Sequence, residues 1–292
     1  MSIFEKILYM LQVEMEEPKA FGWFHLMWIG LVIIVLILLY KIKNKYSQKQ
    51  LKIVLGIYGI VALLLELTKQ LIWSFNYDPI KNIVIWDYPW YIAPFQLCTT
   101  PIYISIICLF LKNNKLRKSL LSYMAFVTIL GGITTILLPD SCLVSDIIVN
   151  IHTMWLHCGS FVVSIYLLFS GEIEINKRNL KSAFKVFLIF VFLAEFLNIF
   201  VYKIGILNGE VFNMFYISPY FISTLPVFDI IQENVPFIVF LLTYVIAIFM
   251  GVGLVYYIAY LIKSKVARNT ISKKDNINSI EKVMNSEENK IH

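Results

Sequence analysis

The sequence predicts an all-α fold, a polytopic membrane bundle of seven transmembrane helices, and three observations lead there. Hydrophobic residues make up 59% of the chain and charged residues only 15%, against about 45–50% and about 25% in an average soluble domain. The apolar residues gather into seven runs, each near the roughly 20 residues that cross about 30 Å of hydrocarbon at about 1.5 Å per residue. Segments 41–52, 112–118, 172–185 and 263–292 hold 5, 4, 4 and 7 of the 25 Lys and Arg. Basic loops stay cytoplasmic, so the amino terminus is expected outside and the carboxyl terminus inside. The net charge of +6 is then topological and no sign of nucleic acid.

In chain order, residues 3–11 mix charges with apolar side chains at helical spacing, as an interfacial helix or amphipathic lid would. With Pro18 as its breaker, 1–19 is expected to lie on the bilayer. Met1 to Glu17 carries five charges and no apolar core, so no cleavable signal peptide is expected. The seven spans are placed at about 22–40, 53–73, 88–111, 120–138, 147–170, 182–202 and 235–262, forming one domain over 20–262. Beyond it, 263–292 is charged, Asn-rich and poor in aromatics, and is expected to be a disordered cytoplasmic tail. A multi-pass protein of the cell membrane with lipids as its partners follows.

One stretch inside the third run is unlike a span. Residues 90–101, Trp-Tyr-Ile-Ala-Pro-Phe-Gln-Leu-Cys-Thr-Thr-Pro, put a thiol, hydroxyls and an amide between two prolines. Proline removes a backbone hydrogen bond and clashes with the preceding turn, so carbonyls are freed there. The outer loop after the sixth run, 205–219, is too aromatic for a hydrated loop, and Pro recurs at 219, 226 and 236. A re-entrant segment is expected, since irregular backbone at membrane depth survives only when buried in protein or lining a cavity.

The polar residues of the spans cluster toward the outer side: His25, then Glu66, Lys69 and Gln70, then Gln96 and Cys98, then His152 and His157, then Glu195 and Asn198. Ionisable groups at such depth usually face a bundle interior or a water-filled cavity, and one outward-opening cavity would explain them all. Plainer readings stand beside it. Glu66 and Lys69, three apart, can neutralise each other. Glu195 and Asn198 can be interhelical glue, and His25 can anchor a helix end beside Trp23 and Trp28. His152 and His157 lie about 140° apart around a helix, so one of them meets a given partner. Cys98, Cys108, Cys142 and Cys158 lack the spacing of a zinc site. No metal or cofactor is expected, because the histidines and acids show no ligand spacing.

The order of Pro94-Phe95-Gln96-Leu97-Cys98, then residues 131–140 (Gly-Gly-Ile-Thr-Thr-Ile-Leu-Leu-Pro-Asp), then His157, then Asn213-Met214-Phe215-Tyr216-Ile217-Ser218-Pro219 resembles the YwaF-like bacterial integral membrane family, grouped with the animal transmembrane protein 164. The likeness covers most of 20–262. Near the cysteine that family has Pro-Leu-His-Leu-Cys, and Gln96 stands here in place of its histidine. The resemblance implies a phospholipid acyltransferase working through an acyl-cysteine, which would be Cys98.

The residues can be fitted to that chemistry. A buried thiol needs a nearby base or cation to become nucleophilic. His157 is the expected base, with His152 the other imidazole in the same half of the span. Glu66 or Glu195 would hold the imidazole tautomer, and Gln96 or Thr99 would offer donors to an oxyanion. His25, Asn198, Asn213 and Tyr216 would complete the substrate cavity. A binding or transport protein holding a lipid or small molecule in the same cavity is the alternative. The inner halves of the spans are almost purely apolar, which speaks against access from both sides.

Overall fold

Two helices in close antiparallel contact set the frame. The structure is a computed structural model that describes residues 1–42, 46–139 and 142–291, with side chains described through Val266. Helix α3 (Gln48–Ser74) and helix α4 (Thr100–Phe110) meet where Gly59 faces Ser105, so closely that a Cβ on Gly59 would lie 2.8 Å from the Ser105 Cβ. Small residues permit such approaches between helices in lipid, where packing rather than water drives association.

Among the described residues six helices are long and apolar enough to cross a membrane: α2 (Trp23–Ile42), α3, the continuous stretch Lys115–Leu137, α7 (Ile147–Phe169), α8 (Lys177–Lys203), and Phe237–Val266. Lys115–Leu137 consists of α5 (Lys115–Tyr123) and α6 (Ile129–Leu137) joined by a π-helical turn at Met124–Thr128. Their starts obey local chemistry. Ser47, Asn114, Asp146 and Asn176 cap α3, α5, α7 and α8 by accepting first-turn N–H groups, which removes orphan donors.

The expected third span, 88–111, is not a membrane-length helix. Only Thr100–Phe110, 11 residues, is α-helical, about 16 Å at about 1.5 Å per residue. Residues before it form a single 3-10 turn, Trp90–Ile92, and irregular chain. The cause is proline placement. Pro94 holds Ala93 in extended backbone (φ −47°, ψ 133°). Pro101, in the first turn of α4, costs that helix no hydrogen bond, so it starts α4 rather than loosening it.

The all-α expectation also missed a hairpin. Strands β1 (Phe75–Asp78) and β2 (Ile83–Trp86) pair antiparallel, Phe75 opposite Trp86. Asp78 closes the turn by accepting the Ile80 and Lys81 N–H groups. Helix α1 (Ile3–Leu11) begins with a Ser2–Glu5 capping box and docks on this hairpin. Phe4 stacks on Trp86, and Gln12 donates to the Ile72 and Phe75 carbonyls where α3 ends. It ends at Leu11, well before Pro18.

Near the start of α5, Arg117 is buried between Glu172, 3.3 Å away, and the Gln48 side-chain carbonyl at 2.9 Å. The Tyr46 hydroxyl also donates to Glu172. Burial and that carboxylate push the Tyr46 phenol well above its ordinary range.

After α8 the chain becomes irregular, and Phe212 to Phe215, Ile217 and Ser218 are buried. Phe215 and Tyr216 both take left-handed backbone, φ 58° and 59°, a conformation that costs about 1–2 kcal/mol for a bulky residue and persists only where neighbours impose it. A short helix α9 (Phe228–Asn234) leads into α10, whose backbone is helical from Phe237 to Ile291. Most of the expected tail, 263–292, lies outside the residues whose side chains are described.

Candidate functional site

The segment between Ile92 and Thr100 holds the cysteine, and its own hydroxyls tie it together. Proline at 94 leaves carbonyls without helical partners, as expected. Tyr103 and Thr99 donate to the Pro94 carbonyl, Thr99 also lies 2.9 Å from the Gln96 carbonyl, and Thr100 donates to Leu97 at 2.7 Å. Cys98 sits in this knot, partly exposed, with a free thiol.

Gln96 uses both ends of its amide on the buried 212–218 loop. Its Nε2 donates to the Asn213 carbonyl at 3.0 Å, and its Oε1 accepts the Phe215 N–H at 2.7 Å. Asn198 does the same from α8, donating to the Met214 carbonyl at 3.1 Å and accepting the Met214 N–H at 2.7 Å. Asn213 ties the loop internally, accepting the Ser218 N–H and donating to the Phe221 and Ile222 carbonyls. These amides satisfy a strained, irregular and buried backbone that could not otherwise exist away from water.

Between the two loops lies a cavity of about 510 Å³ lined by Pro89, Tyr91, Gln96, Glu210, Val211, Asn213, Tyr216 and Thr224. Three of the expected cavity residues, Gln96, Asn213 and Tyr216, are thus brought together. Glu210 Oε2 accepts the Trp90 N–H at 2.7 Å. Burial and the Glu210 carboxylate push the Tyr91 phenol upward. Burial, then the Cys98 and Cys142 thiols, push Tyr216 up, so its phenol lies within electrostatic range of both.

A charged cluster sits under the 3-10 turn. Glu66 Oε1 is 2.8 Å from Lys69 Nζ, and its Oε2 is 2.7 Å from His152 Nε2; the three side chains are 3%, 12% and 5% exposed. Gln70 Nε2 donates both to Glu66 Oε1 at 2.7 Å and to the Ile92 carbonyl at 2.8 Å, while Tyr88 donates to Gln70 Oε1. Tyr88 is pushed up to about 12 by burial and by the Glu66 charge. The expected i,i+3 neutralisation of Glu66 and Lys69 is present, and His152 joins it from α7.

The other expected site residues are placed differently. His157 Nδ1 lies 3.2 Å from the Gly131 carbonyl, so that carbonyl, rather than Glu66 or Glu195, fixes the ring. Among the described residues no hydrogen bond joins Cys98 to either histidine. Glu195 makes none within good geometry, although its oxygens are buried. His25 accepts the Phe21 N–H at 3.0 Å, the anchoring role at a helix start. Thr99 serves its own loop. No group of three or more His, Cys, Asp or Glu that could hold a metal occurs among the described residues.

Sequence reasoning did not single out Tyr91, Glu210, Tyr88 or the Gly131 carbonyl. Gln70, four residues from Glu66, was the one legible signal of the network that ties α3 to the cysteine loop.

No curated protein and no solved structure matches the chain. The model of the TMEM164 family matches residues 20–257, a stretch that includes the cysteine knot, the charged cluster and the amide-clasped loop, and the chain therefore belongs to the TMEM164 family.

Proposed function

We propose that this protein is a membrane-embedded acyltransferase that acts on phospholipid acyl chains through a thioester on Cys98, from a cavity open to the outer leaflet. The supporting observation is the placement of Cys98. It stands at the head of the half-length helix α4, within electrostatic range of Tyr216, which lines the 510 Å³ cavity, and of Lys69 and Glu66. In this reading α4 and its irregular lead-in act together as the seventh crossing, residues 212–218 re-enter from the outer side, and the amino terminus faces out.

The chemistry runs in two halves. His157, its Nδ1–H donated to the Gly131 carbonyl, presents Nε2 as the acceptor of the Cys98 proton. The thiolate attacks an ester carbonyl, the ester C–O bond breaks, and the proton returns to the departing lysophospholipid hydroxyl. A thioester remains. An acceptor hydroxyl then takes the acyl group, giving its proton through the imidazole to the leaving thiolate. The gathering of Glu66, Lys69, Gln70 and His152 beside the cysteine loop supports one-sided access, while Arg117 and Glu172 at the opposite helix ends pair with each other.

A second reading, a lipid- or small-molecule-binding or transport protein using the same cavity without reaction, is favoured by the donors. Gln96 Nε2 is bonded to Asn213 and Thr99 to its own loop, so neither expected oxyanion donor is free. Intact mass spectrometry after incubation with mixed phospholipids separates the two. A hydroxylamine-sensitive gain of one fatty acyl mass, absent from Cys98→Ala, is the expected result. Lipid that co-purifies without any adduct would replace the enzyme reading with the binder.

A further inference from the structure

We infer that Lys69, held by Glu66 and set at its depth by Gln70, is the positioning residue that stabilises the Cys98 thiolate, an inference that rests on the reading of Cys98 as nucleophile. The geometry behind it is the register of α3 against α4 and its lead-in. Gly56 faces Leu109 and Gly59 faces Ser105, and Gln70 bonds to Ile92. The two stretches therefore run side by side in opposite directions between the Gly59–Ser105 contact and the Gln70–Ile92 bond. Glu66 and Lys69 lie within that interval on α3, and Cys98 lies within it on the facing chain.

The ammonium cannot drift from this place. Its side chain is 12% exposed and ion-paired at 2.8 Å. Gln70 grips the carboxylate of Glu66 and the carbonyl of Ile92 at once, which ties the charge cluster to the chain that carries Cys98. His152 Nε2 lies 2.7 Å from the other oxygen of Glu66, so the carboxylate is shared between the imidazole and the ammonium.

The other titratable side chains around the thiol are phenols and a second thiol, Tyr58 on α3, Tyr103 on α4, Tyr123 on α5, Cys142 before α7, Tyr216 in the buried loop and Tyr244 on α10, with the proposed base His157 on α7. Among the described residues Lys69 and Glu66 are the charged side chains acting on Cys98, and they act with opposite sign. An opposite charge nearby favours an ionised group and a like charge disfavours it.

The test is the pH–rate profile of Cys98 alkylation by iodoacetamide, in full-length protein whose other three cysteines are replaced by Ala. The S–C bond forms, iodide leaves and the thiol proton goes to buffer, so no lipid is needed. Lys69→Met is expected to move the profile to higher pH and slow alkylation at neutral pH by about tenfold, the effect of about one pKa unit. Lys69→Arg is expected to restore it to within about threefold, since the charge is kept. Glu66→Gln is expected to move the profile the other way. A structural role would shift both charge-removing variants in one direction by loosening the loop. Superposed profiles, or shifts of the same sign, would overturn the inference. Alkylation that follows the expected pattern in a protein forming no acyl adduct would leave Lys69 with its role and remove the acyltransferase reading alone.

Discussion

Gln96 and Phe215 are 119 residues apart in sequence, and the side-chain carbonyl of the first accepts the main-chain N–H of the second at 2.7 Å. The same amide donates to the carbonyl of Asn213. Where the resembling family places a histidine, this chain has a side chain that satisfies a donor and an acceptor of one turn. Gln96 is thereby a clasp between the cysteine loop and the loop that roofs the cavity.

Truncating the clasp leaves the buried Phe215 N–H without a partner. Gln96→Ala is expected to lower stability by about 2–3 kcal/mol, from two lost bonds and the desolvated donor. Gln96→His, with one ring acceptor and one ring donor, is expected to lose less. Denaturation of both variants in the same detergent reads the difference, and equal stability of Gln96→Ala and the parent protein would refute the clasp.

Asn198 holds the same turn from α8. Asn198→Ala is expected to release Met214 and make the 205–222 segment of the detergent-solubilised protein sensitive to added protease, with cleavage faster than in a Tyr257→Ala control on the exposed face of α10. Unchanged digestion would mean that the turn is held without Asn198.

Close helix contacts give a contrast within one residue type. A Cβ on Gly132 would lie 2.6 Å from the Phe161 Cβ and 2.9 Å from the His157 carbonyl, whereas one on Gly30 would meet nothing within 4 Å. Gly132→Ala is expected to cost about 1–3 kcal/mol by overpacking. Gly30→Ala is expected to be neutral or to gain up to about 1 kcal/mol from helix propensity. Melting temperatures of the two variants should therefore move apart.

At the opposite helix ends, Glu172 is the carboxylate for the buried Arg117. Glu172→Ala strands that guanidinium and is expected to cost about 3 kcal/mol. Adding Arg117→Met to it is expected to recover part of the loss, which a thermal unfolding series over the single and double variants would detect.

Tyr88 links the charge cluster to pH. Its phenol is pushed up to about 12 by burial and by Glu66, above the usual 10.0. A raised acid is one whose folded form keeps its proton more tightly. The stability it contributes is complete below about pH 10 and is lost as pH rises through about 12. The difference between ultraviolet titrations of the parent protein and Tyr88→Phe should show one phenol with a midpoint near 12, and a midpoint near 10 would remove Glu66 as its neighbour.

Hydropathy alone determined that this chain lives in a membrane, since the length and apolarity of α2, α3, α7, α8 and the span of α10 are properties of contiguous residues. The capping box at Ser2 and Glu5 and the caps at Ser47, Asn114, Asp146 and Asn176 are equally local. The gathering of Glu66, Gln96, Cys98, His152 and His157 toward one end of their runs is likewise a matter of position along the chain. Only the tertiary structure decided the partners. Pro94 and Pro101 cut the third span to a half-length helix, and hydropathy does not register a missing N–H. Glu66 chose His152, and His157 took the Gly131 carbonyl, because those choices depend on how α3, α6 and α7 rotate against one another. Gln96 reached Phe215 because a chain reversal over more than a hundred residues brought the 212–218 loop onto the cysteine knot. Such contacts are set by the register between distant elements, and no window of sequence carries that information.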